Sequence, residues 1–178
     1  EGRRRHTVRN ESMVGAAFGP LEGTALWRVA GKPFLMTEFD LNPPNDHASE
    51  NFSLLALLAA YQGWAGFAEY SWYNFQGGKQ GHNRIQSHYA TTGHAGQMCM
   101  VPAMALLFRQ GLVAPAREPL TLDVPEQEIA ARVADNVWSG MSGLLERGKG
   151  NVSDVWRRKV SCRLVSSGAA LSGASGLD

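Results

Sequence analysis

The stretch that decides the fold class reads Phe34-Leu35-Met36-Thr37-Glu38-Phe39, followed by Asp40-Leu41-Asn42-Pro43-Pro44-Asn45-Asp46-His47. Its first six residues form an apolar run of strand length with one carboxylate near the end. The eight residues that follow are polar and contain two prolines, which cannot continue a central strand. The sequence therefore predicts a buried strand that ends in a polar loop, with Glu38 close to the junction.

Helices and strands are predicted to alternate on both sides of this strand. The predicted elements are, in order, a helix at residues 21–29 closed by Gly31, the strand at 34–39, a helix capped by Ser49 and ended by Gly63, a strand at 64–71 and a helix at 97–109. This order is typical of a parallel α/β protein. In a closed barrel of this kind, chemistry is carried by the loops that leave the strand carboxyl ends, which here are residues 40–48 and 72–96.

The segment from Gly31 to Asp46 resembles the seventh-strand motif of bacterial clan A glycoside hydrolases, in which a Lys-Pro-Phe strand delivers a Glu to the barrel mouth. The similarity continues through Tyr61-Gln62-Gly63-Trp64-Ala65-Gly66, Phe67-Ala68-Glu69-Tyr70-Ser71 and Pro102 to Gly111, and it covers about residues 8–118. The resemblance implies an α/β fold in which residues 1–118 are the last strands and helices of a TIM (β/α)8 barrel, a partial barrel. It also implies that Glu38 is the catalytic nucleophile.

Glycosidic bond cleavage needs two carboxyl groups, and the resemblance implies a retaining mechanism in which Glu38 supplies one of them. In the family the acid/base Glu follows an Asn at the end of the fourth strand. Asn10-Glu11 imitates that pair, but only 27 positions separate Glu11 from Glu38, too few for the intervening barrel elements. We therefore expect the acid/base upstream of residue 1, and a missing N-terminal barrel half as a partner.

Five further residues are candidates for sugar binding. Tyr70 and Trp72 lie where the eighth strand would meet its loop, so their rings are placed to stack on a sugar, although core packing is an equal interpretation for Tyr70. Asn42, Asn45 and His47 are candidates for hydrogen bonds to sugar hydroxyls, although Asn beside Pro is first a turn former. The expected partner is a carbohydrate, but the sequence does not identify the sugar or the linkage.

Two rival functions remain open at this point. One is a noncatalytic carbohydrate-binding or inactive remnant of such a barrel, which keeps the sugar-facing loops without the acid. The other is a different barrel enzyme in which the strand-end Glu38 is a general base. Taken without its context, a Glu at a strand end is more commonly a solvated terminus or an ion-pair partner.

The composition of the chain limits the classes of partner that we expect it to bind. The 178 residues are 44% hydrophobic and 19% charged, with a net charge of +1, which gives no basis for nucleic acid or an acidic membrane surface as partner. No apolar stretch is long enough to span a bilayer. The sequence predicts no cofactor and no metal site, since His82, His88 and His94 lack nearby carboxylates and the two cysteines lack ligand spacing. The family resemblance implies a secreted or periplasmic location.

The residue pattern changes after residue 118, and this change marks the predicted end of the barrel-like part. Residues 119–165 resemble weakly the start of an appended β-rich region, with a half-exposed strand expected at residues 120–124 and a basic strand or hairpin within residues 152–165. Residues 166–178 are rich in Gly, Ser and Ala and are expected to be a disordered tail.

Overall fold

Eleven short elements make up the parts of the chain that the computed structural model describes, which are residues 10–15, 20–73, 89–134 and 151–166. They are α1 (Pro20–Ala25), β1 (Leu35–Phe39), α2 (Glu50–Tyr61), β2 (Gly66–Glu69), a 3₁₀ turn (Thr91–Gly93), α3 (Ala95–Met98), α4 (Val101–Arg109), β3 (Pro119–Pro125), α5 (Glu126–Ala134), a second 3₁₀ turn (Val152–Trp156) and β4 (Lys159–Val165). The alternation of strands and helices around β1 agrees with the α/β prediction. The predicted tail after residue 166 lies outside the described residues.

β1 and β2 pair in parallel, with α2 as the crossover between them. α2 is apolar on much of its circumference, and Leu55 and Leu58 are fully buried. The helix ends at Tyr61 and is closed by Gly63, whose φ of +62° is a conformation that favours glycine. Ser49 occupies the N-cap position, but its side chain makes no capping hydrogen bond, so the predicted cap is wrong.

An extra residue interrupts the pairing of β1 with β2. Met36 pairs with Phe67 and Phe39 with Glu69, so three steps along β1 match two steps along β2. Met36 and Phe39 are both buried, whereas Thr37 and Glu38 between them are exposed. A bulge of this kind reverses the alternation of side chains beyond it. Glu38 therefore faces away from the side on which Met36 and Phe39 are packed.

Helices cover one face of this small sheet. The ring of Phe67 meets Phe108 of α4 edge to face at 5.0 Å, which marks the helix-covered side. No described element covers the other side, which we call the open side, and Leu35 on it is 56% exposed. Gly66 lies beneath Leu35, where a Cβ would come within 2.9 Å of the leucine Cδ1.

Two of the predicted helices are shorter or interrupted. α1 ends at Ala25 rather than at Val29, because the backbone of residues 28–30 pairs with Cys162 of β4 instead. The single helix predicted at residues 97–109 is two helices, α3 and α4. Pro102 sits in the first turn of α4, where its missing N–H is tolerated, and a new helix begins there.

β3 and β4 form a second parallel pair, in register over seven residues. The predicted strand at residues 120–124 is present, but all five residues are buried, so the half-exposed expectation is wrong. Its polar side chains are buried because they pair with β4. Thr121 lies 3.2 Å from Ser161, and Asp123 accepts two hydrogen bonds from Arg163.

One hydrophobic cluster joins both sheets. It contains Leu26, Leu55 and Leu58 together with Leu120 and Val160. Residues on either side of the predicted boundary at 118/119 thus share one core, and the described residues hold two two-stranded sheets. The partial barrel and the domain boundary stay predictions. None of the helices in the described ranges has the length and apolar character needed to cross a membrane.

Candidate functional site

The carboxyl edge of the β1–β2 sheet brings the predicted nucleophile to the surface. Glu38 is the fourth residue of β1 and is exposed, on the open face of the sheet. Within the described ranges no hydrogen bond or ion pair reaches its side chain. The carboxylate is therefore accessible from solvent at the edge where an α/β enzyme carries its chemistry.

Exposed aromatic side chains follow β2, the strand that pairs with β1. The backbone N–H of Tyr70 donates to the carbonyl of Phe39 at 3.1 Å, so Tyr70 is held directly beside the end of β1. Tyr70 is the turn residue directly after β2. Tyr70 is 41% exposed and Trp72 52%, and the ring of Tyr70 meets that of Tyr89 edge to face at 5.7 Å. At this exposure the side chain of Tyr70 is not packed in the hydrophobic core.

The loop after β1 holds the three remaining predicted sugar ligands in different environments. Asn45 is buried, its Oδ1 accepts from the backbone of His47 at 2.7 Å and its Nδ2 donates to the carbonyl of Glu11 at 3.3 Å. These bonds are those of a turn former. Asn42 is half-buried, and its Oδ1 has no hydrogen-bond partner in the described part of the chain.

His47 is partly exposed and lies beside Glu50. Its Nδ1 is 3.3 Å from Glu50 Oε1. Burial alone would raise the pKa of Glu50, but hydrogen bonds from Ser12 Oγ at 2.6 Å and the Met13 N–H at 2.8 Å lower it instead. His47 therefore lies at the rim of the loop, next to a Glu50 side chain that already accepts hydrogen bonds from Ser12 and Met13.

The segment at Asn10 and Glu11 is tied to the same loop. Asn10 exchanges two hydrogen bonds with Asp46, of 2.7 and 2.8 Å, and Glu11 accepts the bond from Asn45 already described. Glu11 itself is exposed. The segment that imitates the family's Asn-Glu pair thus packs against the loop, where it holds residues 45–46 in place.

A second carboxyl pair, which the sequence did not single out, lies on the helix-covered side of the same edge. Asp40 follows β1 and Glu69 ends β2, and the two side chains are hydrogen-bonded to each other. Asn51, in the first turn of α2, donates to both oxygens of Glu69 at 2.8 Å and to Asp40 at 3.4 Å. Thr91 donates to Glu69 at 3.2 Å, and Gln97 of α3 to Asp40 at 3.5 Å.

Proximity and burial change the ionisation of this pair. Burial, together with the hydrogen bond and negative charge of Glu69, raises the pKa of Asp40 from 3.8 to about 8. Burial also raises the pKa of Glu69, against the opposing effect of its hydrogen bonds from Asp40, Asn51 and Thr91. At neutral pH Asp40 is therefore largely protonated and donates to the Glu69 carboxylate.

The amides around the pair are not fully satisfied. Asn51 and Gln97 are essentially excluded from solvent, at 0% and 1% exposed, and each uses its nitrogen on the carboxyl groups or, for Gln97, also on the carbonyl of Leu41. The amide oxygens of both have no hydrogen-bond partner in the residues described. Unpaired buried polar atoms are uncommon and costly in folded proteins.

Asp40 and Glu69 could have been suspected from the sequence by position alone, since each carboxyl follows the apolar part of a predicted strand. Asn51 is a further signal, because it is a polar residue on the buried face of an otherwise apolar helix. Among the described residues, no three His, Cys, Asp or Glu side chains are grouped to hold a metal. His94 caps α3 by accepting from Gln97 N at 3.1 Å, whereas His82 and His88 lie outside the described residues.

Comparisons of the chain with protein-family models, with curated proteins and with solved structures found no match.

Proposed function

We propose that this chain is part of a retaining glycoside hydrolase in which Glu38 is the nucleophile and Tyr70 and Trp72 form the adjoining sugar platform. The observation that carries the proposal is an exposed carboxylate without a hydrogen-bond partner at the carboxyl edge of two parallel strands, with exposed aromatic residues directly after the second strand. The backbone hydrogen bond from Tyr70 to Phe39 holds the start of this aromatic segment beside the end of β1. The resemblance of residues 8–118 to clan A enzymes points the same way.

Glu38 suits the nucleophilic role better than the buried pair does. Asp40 and Glu69 already accept hydrogen bonds from Asn51, Thr91 and Gln97 and lie on the side covered by helices. A nucleophile must instead present a free oxygen to the anomeric carbon. Among the described carboxylates at this edge, Glu38 meets that requirement.

In the proposed reaction a Glu38 oxygen attacks the anomeric carbon of the sugar, and the bond from that carbon to the leaving oxygen breaks. A carboxylic acid protonates the leaving oxygen, and the resulting sugar ester on Glu38 is then cleaved by water. We assign no acid/base among the described residues. The proposal requires one from another segment, about 5–5.5 Å from Glu38, as the resemblance implies.

The aromatic rings supply the second requirement, a surface for the sugar. The CH-rich face of a pyranose packs against an aromatic plane and buries apolar area without losing its hydroxyl hydrogen bonds. Tyr70 and Trp72 offer such planes directly after β2, the strand paired with the one that carries Glu38. In this proposal Asn42 and His47 at the loop rim contact hydroxyls, and Asn45 supports the loop.

The proposal is tested by covalent trapping with the full chain. A panel of 2,4-dinitrophenyl 2-deoxy-2-fluoroglycosides of gluco, galacto, manno and xylo configuration is suitable, because dinitrophenolate leaves without acid assistance and the fluorine slows hydrolysis of the ester. We expect one equivalent of dinitrophenolate and, by peptide mass spectrometry, a fluorosugar on Glu38. The Glu38→Gln variant should lose the label, whereas Glu11→Gln, a nearby exposed carboxylate, should keep it.

Two outcomes would contradict the assignment. A label on another residue would remove Glu38 from the nucleophilic role. No label with any of the four sugars, while the chain still binds the parent sugars by calorimetry, would favour the noncatalytic carbohydrate-binding function. That rival is supported by the exposed rings of Tyr70 and Trp72, which can bind a sugar without a catalytic acid.

A further inference from the structure

The ends of β1 and β2 are joined on the helix-covered side by a pair of carboxyl groups. Asp40 directly follows β1, Glu69 is the last residue of β2, and a hydrogen bond joins the two side chains. Along the backbone, the Tyr70 N–H closes the same edge by donating to the Phe39 carbonyl at 3.1 Å. We propose that the Asp40–Glu69 pair is a pH-sensitive switch, which joins the two strand ends while it holds a proton and lets them separate when it loses that proton.

The neighbours of the pair supply hydrogen bonds but no positive charge. The donors are Asn51 of α2, Thr91 of the first 3₁₀ turn and Gln97 of α3, and all three side chains are neutral. Neutral donors stabilise one carboxylate, but they do not compensate the repulsion between two. Because like charges at hydrogen-bonding distance disfavour ionisation of both groups, the closed edge requires one shared proton.

The other charged and titratable side chains around the pair do not supply that compensation. On the elements and loops that surround it, the described groups are Glu38, Asp46, His47, Glu50, Tyr70, His94, Cys99 and Arg109. Glu38 faces the open side of the sheet, Glu50 is bonded to Ser12 and Met13, and His94 caps α3. The one charge that affects the pKa of Asp40 is that of Glu69, and no charge of another residue affects the pKa of Glu69.

The direction of the pH effect follows from the two states of Asp40. In the closed edge, burial, the hydrogen bond to Glu69 and the charge of Glu69 raise the pKa of Asp40 to about 8. In an open edge Asp40 is solvated and ionises near its ordinary pKa of 3.8. Opening therefore releases a proton between about pH 4 and about pH 8, and the equilibrium constant for opening rises by up to about tenfold per pH unit in this window. Above about pH 8 the effect levels off, because Asp40 is then ionised in both states.

Both loops of the candidate site begin at this pair. The loop at residues 41–47 continues from Asp40, and the aromatic segment at residues 70–73 continues from Glu69. Separation of the strand ends therefore changes the placement of one loop relative to the other, and the edge is closed most firmly at acidic pH. The switch is a property of the edge itself and does not depend on the reaction proposed for Glu38.

The test is amide hydrogen exchange of the full-length protein, measured by NMR at pH 5, 6, 7 and 8. The Tyr70 amide bonds across the edge, whereas the Trp64 amide bonds to Ala59 at the end of α2, at 2.9 Å, and serves as the internal reference. Each rate is divided by that of an unstructured peptide at the same pH. We expect the corrected rate of Tyr70, relative to that of Trp64, to rise at least about tenfold from pH 5 to pH 8.

Two variants assign the effect to the pair. Asp40→Asn keeps a donor to Glu69 and a similar shape but has no proton to release, so exchange of the Tyr70 amide should lose most of its pH dependence. Glu38→Gln removes a carboxylate from the same strand, on the open side, and should keep the full pH dependence. If Asp40→Asn fails to fold, the Tyr70 to Trp64 ratio in the parent chain and in Glu38→Gln still decides the question.

The proposal is overturned if the Tyr70 rate does not rise relative to Trp64, or if the two rates rise equally, which is a loss of stability of the whole fold rather than an opening at the edge. It is equally overturned if Asp40→Asn keeps the pH dependence of the parent or if Glu38→Gln removes it. Fluorosugar labelling of Glu38 is a separate measurement, so failure of the switch is distinguishable from failure of the proposed glycosidase.

Discussion

Replacing Gln62 by Leu should be one of the most destabilising single substitutions in this chain. Gln62 follows α2 and is fully buried. Its amide forms hydrogen bonds with the second 3₁₀ turn, the residues after it and β4. Its Nε2 donates to the carbonyls of Val155 and Arg158, at 2.5 and 2.7 Å, and its Oε1 accepts from the Val160 N–H at 2.8 Å. Leu is close in volume but cannot replace any of these bonds.

The expected loss follows from what the substitution leaves behind. Val155 and Val160 are fully buried, so a carbonyl and an N–H would remain without a partner, at a cost of about 1–3 kcal/mol each. Arg158 is only half-buried, and water can replace the third bond. We expect the free energy of unfolding to fall by about 2–6 kcal/mol for the two groups together, a large part of the ~5–15 kcal/mol typical of a domain.

Urea unfolding followed by tryptophan fluorescence measures this loss, since Trp64 is buried two residues away. Gln110 provides a matched control, because it follows α4 as Gln62 follows α2, and each is followed by a glycine with φ +62°. Gln110 is exposed, so Gln110→Leu should change stability by no more than about 0.5 kcal/mol. The reasoning fails if the two variants lose equal stability or if Gln62→Leu loses less than about 1 kcal/mol.

Two further predictions concern the carboxyl pair and the core. Asp40 loses its proton near pH 4 in the unfolded chain but keeps it up to about pH 8 in the folded protein. Stability should therefore fall as pH rises from about 4 to about 8, by about 1–2 kcal/mol after allowance for solvent screening at this half-buried group. Urea titrations from pH 5 to pH 8 measure the slope, Asp40→Asn should flatten it, and a slope of opposite sign would contradict the assignment. Leu55→Ala and Leu120→Ala, from opposite sides of residue 118, should each cost about 2–5 kcal/mol within one unfolding transition. Calorimetry that resolved two transitions, each moved by only one variant, would contradict the shared core.

The sequence predicted the order of elements well where the pattern is local. The apolar run at β1, the alanine- and leucine-rich α2 and the glycine that ends it each depend on neighbouring residues, and each is present. The prediction was less accurate where residues far away in the sequence determine the local structure. The α1 boundary moved because residues 28–30 pair with Cys162, more than 130 positions away, and the polar side chains of β3 are buried because β4 supplies their partners.

The candidate site likewise has residues that were predicted from the sequence and residues that were not. The family resemblance implied Glu38, and Tyr70 and Trp72 were predicted from their places where the second strand meets its loop. The structure brings Glu38 and the backbone of Tyr70 to one edge of the sheet. The sugar-binding roles stay predictions. The group of Asp40, Asn51, Glu69, Thr91 and Gln97 was not predicted as a group, because its five side chains lie on five separate segments between residues 40 and 97. Positions after predicted strands were a signal for Asp40 and Glu69 one at a time, but their grouping depends on parallel strand pairing and on how α2 and α3 pack.

One inserted residue in β1 decides which carboxylates are open and which are enclosed. Counting by twos from buried Met36 would place Glu38 on the helix-covered side, beside Glu69, and Phe39 in solvent. The extra step between the Met36–Phe67 and Phe39–Glu69 pairs reverses this. Phe39 enters the core, and Glu38 turns to the open face. A third carboxylate next to two that already share a proton would be strongly disfavoured, so the core and the electrostatics both favour the bulged register. The open Glu38 that the proposed chemistry needs therefore follows from the same packing that encloses Glu69.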